Sequence, residues 1–230
     1  MLIPVIDIKD GRVVSGRFGK TGEYEELNSV VCDSSDPLVV AKTYEELGFC
    51  EVYIADIDGI TDSKPNIASI NSIIDNTSLS VMVDLGIWSP DLVVLMSRVK
   101  PVIATETFCS LNLLEFPGDI VLCIDTVGGE LLSETCGNLS DFISIIKDTK
   151  RIKEVVLIDL ERLEFSERGP NFELCESVIP KLAGKKVIYG GGIRGLYDIY
   201  ALKKSGVDRV LLGAALYSGV IFQDAETGCL

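Results

Sequence analysis

Val5-Ile6-Asp7, close to the start of the chain, and Cys123-Ile124-Asp125, just past its midpoint, are the two stretches on which the fold turns. Each is an apolar run that stops at an aspartate, and a glycine follows each at the same offset, Gly11 after the first and Gly129 after the second. The correspondence continues downstream. Glu51-Val52 and Asp56-Ile57 match Glu154-Val155 and Asp159-Leu160, and Gly86-Ile87 matches Gly192-Ile193. The matches at Asp7 and Asp125, Asp56 and Asp159, and Gly86 and Gly192 fall where an apolar run gives way to polar residues, which is the pattern of one module laid down twice.

Short β-branched runs recur at Leu2-Ile6, Glu51-Ala55, Leu79-Val83, Val99-Ala104, Asp119-Ile124, Glu154-Ile158, Lys186-Tyr189 and Asp208-Leu212. Between them, Pro37-Leu47, Asn66-Ile74, Leu139-Ile146, Phe172-Leu182 and Leu196-Lys204 place apolar residues three and four apart, the spacing of a helix with one buried face. Apolar strands alternating with amphipathic helices make a parallel sheet covered by helices. Eight such units in 230 residues fit an α/β fold, a (β/α)8 barrel forming a single domain over residues 1–230. A doubly wound open sheet is the alternative. The duplication decides against it, because a four-unit module repeated once closes a barrel of eight.

The 35 acidic against 21 basic residues leave a net charge of −14, a field that repels nucleic acid and anionic membrane surfaces. No apolar run is long enough to span a bilayer, and the first residues lack the basic and apolar regions of a secretory signal, so a cytoplasmic protein is expected. The seven cysteines form no C-x-x-C pair and read as free, mostly buried thiols. Histidine is absent, which removes Ser-His and Cys-His nucleophile pairs and leaves carboxylates, lysines or tyrosines to move protons.

In a (β/α)8 barrel the chemistry is built at the carboxyl ends of the strands. Asp7 and Asp125 stand at the ends of the first and fifth runs, across the mouth from each other, as candidate acid and base. A strand-end aspartate also caps turns, and that is the plainer reading of either one alone. Tyr189-Gly190-Gly191-Gly192-Ile193-Arg194 follows the seventh run and Leu212-Gly213-Ala214-Ala215 the eighth. Loops in these two positions bind phosphate through backbone N–H groups, which makes Gly191, Gly192, Gly213 and Ala214 candidate phosphate contacts. Because the whole molecule is anionic, such a ligand has to be held by local donors.

These residues also carry a resemblance. Ile3 to Val14, Asp125 to Gly129, Gly169-Pro170-Asn171 and the last two glycine-bearing loops resemble the histidine-biosynthesis barrels, over essentially Leu2 to Ile221. That family comprises phosphoribosylformimino-aminoimidazole-carboxamide ribotide isomerase and the cyclase subunit of imidazole glycerol phosphate synthase. The resemblance implies a half-duplicated barrel without metal or cofactor, in which Asp7 is the base and Asp125 the acid of an Amadori-type aldose-to-ketose rearrangement. It also implies phosphates at both ends of the substrate. Here the second phosphate position meets Asp84 after the third run and Glu106 after the fourth, and negative charge there opposes an anion. Ile158 replaces an expected threonine, and Ser15 stands where a basic residue is common.

The expectation is therefore a divergent isomerase acting on a small phosphorylated ligand with one phosphate. Asp56, Asp84, Glu106, Asp159 and Arg194 are its candidate substrate contacts, with Asp58 on the same rim. The acidic rim suits a cationic or hydroxyl-rich end of the ligand, or alternatively a divalent cation. A non-catalytic barrel sensing a phosphorylated metabolite, or a cyclase-like relative with a glutaminase partner, are the rival readings; a homo-oligomer is also open. The segments Gly16 to Gly22 and Glu161 to Gly169 are candidate lids.

Overall fold

The computed structural model describes residues 2–16, 24–87, 99–107, 118–164, 166–182 and 184–222. The first half of the chain forms β1 (Leu2–Lys9), β2 (Arg12–Gly16), β3 (Tyr24–Glu26), α1 (Pro37–Glu46), β4 (Glu51–Asp56), α2 (Ile57–Asp62), α3 (Ile67–Asn76), β5 (Ser80–Asp84) and β6 (Val99–Ala104). The second forms β7 (Ile120–Val127), β8 (Glu130–Leu131), α4 (Leu139–Ile146), β9 (Ile152–Asp159), α5 (Leu160–Glu164), α6 (Phe172–Val178), β10 (Lys186–Gly190), α7 (Leu196–Lys204), β11 (Arg209–Leu212) and α8 (Ala214–Tyr217). Strands β1, β4, β5, β6, β7, β9, β10 and β11 pair in parallel in that order, and β11 pairs back onto β1, with Ile3 beside Leu211. The closed barrel is the (β/α)8 fold that the repeat implied.

The period of two along each strand sorts side chains into two cores. On β4, Val52 and Ile54 face the helices while Tyr53 points inward; on β9, Val155 and Leu157 face out and Val156 in. Ile3, Met82, Val102, Val121, Ile188 and Leu211 complete the interior packing. The amino ends of the strands are closed by charge. Lys100 pairs with Glu51 at 3.0 Å and Glu154 at 3.1 Å, and Arg209 with Glu51 at 2.5 Å and Glu154 at 2.8 Å. These four residues come from β4, β6, β9 and β11, alternate strands of the barrel, so their side chains share one interior layer.

Local chemistry sets the helix ends. Asp36 caps α1 by accepting from the N–H of Leu38 at 2.9 Å and of Val39 at 3.1 Å, with Pro37 in the first turn, where its missing N–H costs nothing. The expected helix Phe172 to Leu182 instead stops at Val178 and ends in a 3-10 turn, Ile179–Lys181. Pro180 lies in that turn and cannot donate the next helical bond. Among the described residues no helix is long and apolar enough to cross a membrane.

The duplication is visible in detail. β1 turns into β2 through Asp10 (φ 49) and Gly11 (φ 71), and β7 into β8 through Gly128 (φ 61) and Gly129 (φ 87). Both are two-residue connections with two positive φ angles, the turn that suits a twisted hairpin. Behind each turn stands an Asp–Asn pair: the Asn66 amide donates to Asp56 at 2.8 Å, and the Asn171 amide to Asp159 at 2.6 Å. The hairpin strands were not anticipated, although Asp10-Gly11 between apolar runs is their sequence signature. Of the two candidate lids, residues 17–22 and 165 lie outside the described residues, as do Cys109, Cys229 and residues 223–230.

Candidate active site

A cavity of about 250 Å³ opens at the carboxyl ends of the barrel strands. Asp7 from β1, Asp84 at the end of β5, Glu106 just past β6 and Asp125 from β7 line it together. Gly191, Gly192, Gly213 and Ala214 line it after β10 and β11. The candidate acid, base and phosphate residues therefore share one cavity, on a floor built by Tyr53.

The carboxylates differ in their surroundings. Asp125 is buried and accepts from Cys123 Sγ at 3.2 Å, Thr105 Oγ1 at 3.3 Å and the Glu106 N–H at 3.3 Å. Burial raises its pKa and these donors pull against that rise. Asp7 is half-buried, with no hydrogen-bond partner for its carboxyl among the described residues, and burial lifts it from 3.8 to about 7. Asp84 reaches about 7 by burial, with Asp125 and Asp56 adding to the rise. Glu106 reaches about 8, first by burial and then through Asp125 and Asp84. Like charges this close and this dry do not all ionise, so the wall retains protons at neutral pH.

The two halves of the mouth use the same backbone for opposite ends. Gly86 (φ 63) presses on the Gly59 carbonyl and Gly192 (φ 70) on the Gly169 carbonyl, each so tightly that a Cβ would lie 2.5 Å from the oxygen. After β5, however, the Gly86 N–H is taken by the Asp84 carboxylate at 2.9 Å, and past β6 the Glu106 N–H points to Asp125. After β10, Gly190 occupies the position that Asp84 has in the first half and has no side chain to fold back, while the Asp198 carboxylate takes the Arg194 N–H further along the loop. Among the described residues, the N–H groups of Gly192 and Gly213 meet no acceptor. In the first half of the mouth these turn donors are occupied by the carboxylates of Asp84 and Asp125, whereas in the second half Gly192 and Gly213 line the cavity with N–H groups that meet no acceptor among the described residues.

Three of the expected substrate contacts are not brought to this cavity. Asp56 is fully buried and accepts from the backbone of Gly59 and Asn66 and from the Asn66 amide. Asp159, also fully buried, accepts from the Gly128 N–H at 3.0 Å and the Asn171 amide at 2.6 Å. Both hold the loops that follow β4 and β9, which is the capping role open to any strand-end aspartate. Asp58 accepts from the Asp10 N–H and so braces the first hairpin. Arg194 lies outside the cavity lining and forks onto Asp198, Nε at 2.9 Å and Nη2 at 2.8 Å. Conversely, Tyr24, Tyr53, Arg162 and Tyr217 line the cavity without having been singled out. Ser15 and Ile158 line it as well, so the position of the expected threonine does reach the site and carries no hydroxyl there.

A duplicated (β/α)8 barrel, with carboxylates on one wall of its mouth and open glycine turns on the other, defines a class of paired-half barrels. The chain belongs to the histidine biosynthesis protein family, whose sequence model matches residues 1–222. It is 34% identical to an uncharacterized protein of Methanocaldococcus jannaschii, over 96% of this chain and 94% of that one. It is 31% identical to the bis(phosphoribosyl) imidazole-carboxamide isomerase of Persephonella marina, over 96% of this chain and 95% of the relative. The corresponding isomerase of Desulforudis audaxviator is 30% identical, over 96% of this chain and 87% of its own length. The family relationship extends to isomerases along nearly the whole barrel.

Proposed function

We propose that this protein is an aldose-ketose isomerase acting on a phosphorylated ribosylamine with one phosphate, by acid/base catalysis between Asp7 and Asp125. The observation that carries the reading is the asymmetry of the mouth: the turn N–H groups of Gly192 and Gly213 are unoccupied, while those of Gly86 and Glu106 are bonded to Asp84 and Asp125. A phosphate docks on Gly191, Gly192, Gly213 and Ala214, and the remainder of the ligand extends toward Asp84 and Glu106. A carboxyl near pKa 7, as burial makes Asp7, is matched to removing a carbon-bound proton at neutral pH. Asp125, buried beside Glu106, shares a retained proton with it and donates to the sugar ring oxygen, opening the ring. The base then takes the proton from the carbon next to the imine, giving an enaminol, which gains a proton at the former imine carbon and loses its hydroxyl proton to become the ketose.

The test is turnover of phosphoribosylamine aldoses, followed by appearance of the ketose, in the parent, Asp7→Asn and Asp125→Asn. General acid/base catalysis contributes about 10²–10⁴ in rate, so each variant should lose at least about a hundredfold while still binding ribose 5-phosphate. A parent that binds ribose 5-phosphate and turns over no phosphoribosylamine refutes the isomerase. That outcome favours a second reading, a non-catalytic barrel sensing a phosphorylated metabolite, for which the methyl-terminated Ile158 on the cavity wall is the supporting feature.

A further inference from the structure

Arg162 lies on α5, in the segment expected only to act as a lid. Among the described residues lining the cavity it is the one Lys or Arg, and the acidic groups there are Asp7, Asp84, Glu106 and Asp125. Its side chain is 23% exposed, and its Nε is buried without a hydrogen-bond partner. The nearest charge is Asp159 Oδ2, at 3.9 Å from Nε, beyond hydrogen-bonding reach. Asp159 is engaged elsewhere, with Gly128, Glu161 and Asn171. Among the described residues the guanidinium therefore makes no hydrogen bond at all.

An arginine that spends none of its five donors, although partly withdrawn from water, is unusual, because burying such donors unpaired is unfavourable. Arg209, at the closed end of the barrel, also has Nε and Nη2 without hydrogen-bond partners, but it differs in being ion-paired with Glu51 at 2.5 Å and Glu154 at 2.8 Å. What Arg162 lacks is an acceptor, and its position supplies the reason. A Cβ on Gly191 would lie 3.3 Å from Arg162 Cβ, so the arginine stands directly against the turn whose next residue, Gly192, offers its free N–H. In a protein of charge −14 whose mouth already holds four carboxyl groups, a cation set beside the open glycine turn is a local feature that favours a phosphate dianion there.

We infer that Arg162 binds the phosphate of the ligand, its guanidinium fork closing over two phosphoryl oxygens while the glycine turns hold the others. The inference rests on the phosphate position given under Proposed function and adds to it the residue that selects for a charged phosphate. Planar, bidentate contact of this kind favours Arg over Lys. The anion completes the donor set of Arg162, which Asp159 keeps oriented from behind at a distance.

The experiment measures binding of ribose 5-phosphate and of inorganic phosphate, by calorimetry or ³¹P NMR titration, to the parent, Arg162→Gln and Arg162→Lys, each checked for an unchanged thermal transition. Arg162→Gln should bind ribose 5-phosphate at least tenfold more weakly, and Arg162→Lys should recover part of that loss as a single-point cation. The parent's affinity should fall with rising salt more steeply than that of Arg162→Gln. Equal binding by the parent and Arg162→Gln overturns the role of Arg162 and leaves the glycine turns as the phosphate site. Failure of the parent to bind either anion overturns the phosphate position itself, and this inference with it.

Discussion

Replacing Asp84 by Asn probes the electrostatic strain of the acidic wall without any need for a substrate. Asp84 is 3% exposed, and burial lifts its carboxyl from 3.8 to about 7, the Gly86 N–H pulling against the rise and Asp125 and Asp56 adding to it. In the unfolded chain the same group ionises near 3.8, so between those pH values the native state holds a proton that the unfolded state has released. Stability is thus fully present below the unfolded value and is lost as pH rises through the folded one. At about 1.4 kcal/mol per pH unit, Asp84 alone removes about 3 kcal/mol of stability between pH 5 and pH 8. Asparagine keeps an oxygen for the Gly86 N–H and carries no charge at either pH. Urea unfolding of parent and Asp84→Asn at several pH values reads the effect directly. The variant should be the more stable at pH 8, and its advantage should shrink by about 3 kcal/mol on going to pH 5. An advantage that does not vary with pH, or that grows toward pH 5, refutes the reasoning.

The Asp7 carboxyl, raised to about 7 by burial, predicts that kcat/KM on the isomerase substrate climbs with pH through that value and falls again as the proton held by Glu106, raised to about 8, and Asp125 is lost; a profile with no rise across about pH 6 to 7.5 removes Asp7 as the base. Gly192→Ala places a Cβ 2.5 Å from the Gly169 carbonyl at φ 70 and should destabilise by about 2–5 kcal/mol, whereas Gly213→Ala, where a Cβ meets nothing within 4 Å, should shift the thermal midpoint little. Glu51→Gln leaves Arg209 with one carboxylate at the closed end of the barrel, and a loss of about 3–5 kcal/mol is expected in chemical denaturation. A loss below about 1 kcal/mol would show that Glu154 alone satisfies Arg209.

The barrel was legible because its signals are local and periodic. Alternating apolar residues in β4 and β9 specify two-sided strands, and the pairing of Val5-Ile6-Asp7 with Cys123-Ile124-Asp125 specifies that the module occurs twice. Position at a strand end also told correctly that Asp7, Asp84, Glu106 and Asp125 would reach the mouth. The same rule failed to separate them from Asp56 and Asp159. All six are strand-end carboxylates in the sequence, and what distinguishes the last two is Asn66 and Asn171, whose amides reach back across a loop to claim them. Arg194 is claimed in the same way by Asp198, one helical turn on. Tyr24 reaches the cavity from β3, beyond a hairpin whose first turn, Asp10-Gly11, is legible in the sequence although the path of the strands after it is not.

By itself the sequence determined the architecture, the rim on which the site is built and the residue types available there, since these follow from hydrophobic period, strand ends and composition. Only the tertiary structure decided which donors and acceptors remain free. Whether Gly86 or Gly192 offers its N–H depends on whether an aspartate or a glycine stands two residues earlier with its side chain folded back, and whether Arg162 is spent depends on where Asp159 finds its partners. Hydrogen bonds are exclusive and short-ranged, so their vacancies are set by three-dimensional neighbours that no linear spacing encodes.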